Sequence, residues 1–81
     1  MRCTVLLFAQ LRESIGRESL MIDLPEGARV ADAMNELATS HPSIAQQRGR
    51  IAIAVNERYA RHDTILNDGD VIALIPPVSG G

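Results

Sequence analysis

The chain has 81 residues and a formal net charge of −2, enough for one domain. Its apolar fraction of 46% and charged fraction of 22% are those of a folded protein and argue against disorder. One cysteine, Cys3, excludes an internal disulfide and a cysteine-built metal site. No apolar run approaches the roughly 20 residues of a membrane-spanning helix. Arg2-Cys3-Thr4 leads into a strand-like stretch with no secretory signal pattern, which predicts a cytoplasmic protein. All eight basic residues are arginines, scattered among ten acids. With one Tyr, one Phe and no Trp, the chain lacks the basic patch and stacking residues of a nucleic-acid binder.

Cys3 to Ala9 is predicted to be a strand with Cys3, Val5 and Leu7 on one face and Thr4, Leu6 and Phe8 on the other. Two apolar faces suit a central strand. Gln10 to Ile15 predicts a short helix, with Leu11 and Ile15 one turn apart and Gly16 ending it left-handed. Glu18 to Leu24 alternates, with Leu20, Ile22 and Leu24 inward, and Pro25-Glu26-Gly27 turns the chain. From Val30 to Ser40 the period changes. Val30, Ala33, Met34, Leu37 and Ala38 form one helical stripe. Arg29 is a poor N-cap residue, and His41-Pro42 stops the helix. Ser43 to Arg50 is polar and expected to be irregular. Ile51 to Val55 predicts a strand, Asn56-Glu57 a tight turn, and Arg58 to Arg61 a short edge strand. Asn67-Asp68-Gly69-Asp70 is a turn, Val71 to Ile75 the last strand, and Pro76-Pro77 its end.

One main helix covers one sheet face. The economical arrangement is an α+β fold, a mixed sheet packed on the helix at 30–40, with the first and last strands as its central pair. That order of elements describes a β-grasp, or ubiquitin-like, domain over residues 1–75, followed by an extended tail at 76–81. If Cys3, Val5 and Leu7 face the helix, then Leu6 and Phe8 lie on the open face. Val71, Ala73 and Ile75 of the last strand can join them, and an apolar patch of that kind implies docking. The alternative is that the 43–50 segment covers this face.

No catalytic constellation is present. His41 stands at a helix C-terminus, His62 in a turn, and Cys3 at a strand start where a small core residue is expected. Asp68 and Asp70 flank a glycine as in part of a calcium loop, but the remaining ligands are missing, and no metal site is expected. The tail carries more information. Pro76 and Pro77 favour an extended exit, Val78 and Ser79 follow, and Gly80 and Gly81 pass where a Cβ would not. Six extended residues reach roughly 20 Å, enough to enter another protein's site. Such a tail presents the Gly81 carboxylate, which is inert to acyl transfer until activated.

Phe8-Ala9-Gln10-Leu11-Arg12-Glu13 with Gly16, Ala54-Val55-Asn56, Leu66 with Asp68-Gly69-Asp70, and the terminal Pro76-Pro77-Val78-Ser79-Gly80-Gly81 together resemble the small subunits of molybdopterin synthase. The resemblance runs from the first strand to the last residue. Val71 stands where that family usually has an acid, and Arg29 where it usually has Thr or Ser. The resemblance implies a sulfur carrier, catalytic only as part of a sulfurtransferase. An E1-like enzyme would adenylate the Gly81 carboxylate with ATP and Mg, and a sulfurtransferase would convert it to a thiocarboxylate. The large synthase subunit would receive the tail, and the Gly81 thiocarboxylate would donate its sulfur to cyclic pyranopterin monophosphate, two carriers per dithiolene. It implies no permanently bound cofactor, no nucleic acid and no membrane partner. Three other readings stay open: a carrier for thiamine thiazole or another sulfur metabolite, a ubiquitin-like protein modifier, and a plain binding module. The absence of lysine further implies that an activated Gly81 on one copy meets few amines on another, which lysine at Arg12 or Arg58 would change.

Overall fold

The computed structural model describes residues 1–77. Alternating bulky residues build five strands: β1 (Arg2–Leu7), β2 (Ser19–Asp23), β3 (Ala52–Val55), β4 (Arg58–Tyr59) and β5 (Val71–Ile75). They form one sheet in the order β2-β1-β5-β3-β4. β1 and β5 run parallel, and the other neighbours are antiparallel. The first and last strands therefore lie side by side in the interior, with β5 in the middle. A parallel pair needs a long crossover, and the helices α1 (Ala9–Ile15), α2 (Val30–Ser40) and α3 (Pro42–Gln47) lie within it. This is the expected β-grasp.

The α2 stripe is buried at Val30, Ala33, Met34 and Leu37, with Ala38 partly so. It packs against Cys3, Val5 and Leu7 of β1 and Ile72 and Leu74 of β5 in one continuous core. Leu11 of α1, Ile44 of α3 and Leu66 complete that core. The N-cap expectation needs an amendment. The Arg29 side chain makes no capping bond, but its backbone N–H donates to Asp32 Oδ2 at 2.8 Å. Asp32 thus satisfies an end of the helix that Arg29 cannot, and its charge suits the first turn. Arg29 Nη1 instead donates to the Asp63 carbonyl at 2.7 Å.

Two other expectations change. Residues 43–50 are helical, not irregular: α3 is followed by a 3-10 turn, Arg48–Arg50. Pro42 ends α2 and also opens α3, because its fixed φ suits a first helical position. Ile44 then anchors α3 in the core, and Gln10 Nε2 bonds Gln47 Oε1 at 3.3 Å. This segment packs on α1 and α2, on the helical side of the sheet, and does not cover the opposite face. β1 also ends two residues early. Ala9 takes a φ of 49°, which breaks the strand and swings the chain into α1. Gly16 ends α1 left-handed at φ 78°, donating to the Arg12 carbonyl at 2.8 Å.

Candidate functional site

The site builds from the sheet face opposite the helices. Pairing places Leu6 of β1 beside Ala73 of β5, and Ala73 beside Ala54 of β3. Thr4 pairs with Val71 and Ala52 with Ile75 in the same registers. Side chains alternate across a strand, so Leu6, Val71, Ala73 and Ile75 all leave the core side. Each is half-buried, whereas Ile72 and Leu74 between them are fully buried.

Leu6, Val71 and Ala73 line one groove of about 280 Å³ together with Asn56 and Glu57. Phe8 and Ile75 are not among its walls. Phe8 is 41% exposed and sits at the N-terminal end of α1, where its carbonyl accepts from the Leu11 and Arg12 N–H groups. Of the five patch residues expected from the sequence, three line the groove and two lie beyond it, and Asn56 and Glu57 join them from the hairpin turn. The hairpin turn predicted at Asn56-Glu57 reverses the chain and also brings both residues to the groove. Asn56 and Glu57 adopt φ of 50° and 71°, the double positive φ of a two-residue hairpin loop.

Asn56 is held tightly. Its Nδ2 donates to Asp70 Oδ1 at 2.9 Å, and its Oδ1 accepts the Val71 N–H at 2.9 Å. Its own N–H donates to the Val71 carbonyl at 2.8 Å. Asp70, the buried acid of the structure, also accepts the Asn67 N–H at 2.8 Å. One side chain therefore locks the β3–β4 turn to the start of β5 and holds one of the groove's lining residues in place. Asp68 accepts the Arg2 N–H at 2.7 Å. Both carboxylates serve backbone donors, which fits the turn reading. Among the described residues no cluster of His, Cys, Asp or Glu is arranged to hold a metal ion.

β5 carries the chain from this face toward its end. It finishes at Ile75, Pro76 is buried and Pro77 exposed. Val78, Ser79, Gly80 and Gly81, the rest of the expected inserting tail and its reactive carboxylate, lie outside the described residues. The other candidates play structural parts. Cys3 is fully buried, its thiol 3.6 Å from the Asn67 carbonyl, and burial, reinforced by nearby Asp70, pushes that thiol up. His41 joins α2 to α3 through its backbone, and His62 is exposed in a turn. No helix among the described residues is long and apolar enough to cross a membrane.

Comparison with known proteins agrees with this geometry. The sequence profile of the ThiS family matches residues 5–81. The molybdopterin synthase sulfur carrier subunit of Arabidopsis thaliana is 38% identical over 77 residues, spanning 95% of this chain and 80% of that protein. SAMP1, a small archaeal modifier protein from Haloferax volcanii, superimposes with a TM-score of 0.88 at 31% identity, covering 100% of both chains. A chain from the complex of subunits 1 and 2 of the molybdopterin-converting factor of Helicobacter pylori 26695 matches at 30% identity and TM-score 0.69, again over 100% of both. With a β-grasp fold, a helix-free sheet face beside its last strand and a family match reaching Gly81, the chain belongs to the ThiS family of ubiquitin-like sulfur carriers.

Proposed function

We propose that this chain is the sulfur-carrier subunit of a molybdopterin synthase, and that its working group is the Gly81 carboxylate. The observation that carries this reading is where β5 leads. The middle strand of the sheet runs past the open groove and continues directly into Pro76-Pro77-Val78-Ser79-Gly80-Gly81. A partner seated on Leu6, Val71 and Ala73, with Phe8 and Ile75 at the margin, would lie beside the start of that tail. The likeness to sulfur carrier subunits over 95% of the chain supports the same reading.

The chemistry follows from the carboxylate. Adenylation by an E1-like enzyme with ATP and Mg replaces a poor leaving group with AMP. Sulfide-level sulfur delivered by a sulfurtransferase then attacks the Gly81 carbonyl carbon, the C–O bond to phosphate breaks, AMP leaves, and a thiocarboxylate remains on Gly81. In the large subunit the sulfurs of two such carriers pass in turn to cyclic pyranopterin monophosphate, one for each sulfur of the dithiolene, and water returns each chain as a carboxylate. This chain contributes the docking face, the reach of the tail and the reactive end. The side chains that act on the pterin belong to the large subunit, in keeping with a chain whose Asp68, Asp70 and Cys3 are taken up by its own fold.

The test is transfer. Thiocarboxylated chain mixed with large subunit and cyclic pyranopterin monophosphate is expected to yield the dithiolene and return to carboxylate mass. Persistence of the thiocarboxylate beside an active large subunit would move the reading to another sulfur metabolite. A second reading, a protein modifier, is favoured by the likeness to SAMP1. It requires Gly81 to appear in amide linkage to lysines of other proteins, which mass spectrometry of cell extracts would detect.

A further inference from the structure

Activation makes the end of this chain an acylating agent, and the rest of the chain is its nearest competitor for the acyl group. At an acyl-adenylate, an amine attacks the Gly81 carbonyl carbon. A C–N bond forms, the C–O bond to phosphate breaks, AMP leaves with the electron pair, and the amine proton passes to water. Between two copies this reaction would yield a dead amide dimer in place of a carrier.

Three observations bear on that side reaction. The sequence contains no lysine: all eight of its basic residues are arginines, whose guanidinium groups stay charged and are poor nucleophiles. The remaining amine, at Met1, donates to the Leu24 carbonyl at 2.7 Å, while the Leu24 N–H donates back to the Met1 carbonyl at 2.8 Å. That terminal nitrogen is partly buried and held against the end of β2 by this reciprocal pair, which restricts its approach to another copy's carbonyl carbon. The single thiol, Cys3, is 0% exposed at the start of β1, and burial disfavours its thiolate. What remains on the surface is hydroxyls and imidazoles, whose acyl products are esters and acyl imidazoles open to hydrolysis.

We infer that copies of this chain do not acylate one another, because its amines and its thiol have been removed, tied down or buried. The inference rests on the proposed activation of Gly81. It sharpens that reading, since such a chain can be attached to another protein's lysine but cannot be built into chains of itself.

The experiment incubates concentrated chain with an activating enzyme, ATP and Mg, without a sulfur donor, and follows intact mass. Three arms are run: the native chain, the native chain with added glycine ethyl ester, and a variant carrying Arg17→Lys and Arg58→Lys. Both arginines are exposed, and the changes keep charge, so the fold is retained. The native chain is expected to give no species at twice its mass less one water. The added amine is expected to trap it as an amide, and the lysine variant to form the dimer at least ten-fold more than the native chain. Native dimer at the variant's level, or dimer joined through Met1 or Cys3, would overturn the inference. So would a variant that stays monomeric while the added amine is captured. If the added amine traps nothing while the enzyme activates a known carrier, the carrier reading fails and this inference fails with it.

Discussion

Cys3 shows how one residue's surroundings set its chemistry. Its thiol sits in the core beside the Asn67 carbonyl, and burial, followed by the charge of Asp70, raises its pKa. The folded chain therefore holds this proton to higher pH than the unfolded chain, whose thiol ionises near about 8.5. Stability from this group is fully present below that value and falls as pH rises through the window up to the folded pKa. The expected result is a urea midpoint that declines above about pH 8.5, with a shallower decline in Cys3→Ala although that variant is weaker throughout. Equal slopes in the two proteins would contradict it. The burial of Cys3 was legible from strand alternation. The Asn56–Asp70 bond was not, because it joins residues from two turns whose approach only the pairing of β3 with β5 creates.

Among the elements, those with long periodic stripes were read correctly. Val30 to Ser40 and Val71 to Ile75 have the predicted ends, since each buries one face and is stopped by a proline or the residue before it. α3 is not legible in the sequence, because six residues with one buried side chain carry too little pattern and Pro42 signals a stop as well as a start. The hairpin between β3 and β4 was expected without its strain. Asn56 and Glu57 both take positive φ, although the favoured sequence for such a loop is Asn-Gly. A side chain in that conformation costs roughly 1–2 kcal/mol, and glycine's extra freedom when unfolded returns part of the gain. Glu57→Gly is expected to stabilise the chain by about 0.5 kcal/mol, read as a higher urea midpoint at unchanged slope. An unchanged or lower midpoint would show that the Glu57 side chain does more in the hairpin than its backbone suggests.

At the level of the whole molecule, the helices gather on one side and leave the other to β1, β5 and β3. That division was legible, because two apolar faces on β1 require one beyond the helix-covered core. The shape of the groove was not, because Asn56 and Glu57 reach it through a turn conformation that the sequence does not announce. If this face docks the large subunit, Leu6→Ala should weaken binding about ten-fold, the loss of roughly 1.4 kcal/mol from one apolar anchor. Glu36→Ala, exposed on α2, should leave binding unchanged. Equal affinities for both variants by calorimetry would place the interface elsewhere.

The role proposed for this domain is to carry sulfur on Gly81. Its most direct test is the intact mass of the chain after incubation with an E1-like enzyme, ATP, Mg and a sulfur donor, beside the same chain lacking Gly81. The full chain is expected to become heavier by one sulfur-for-oxygen exchange and the truncated chain to stay unchanged. An unmodified full chain, with the enzyme and donor shown to act on another carrier, would contradict it.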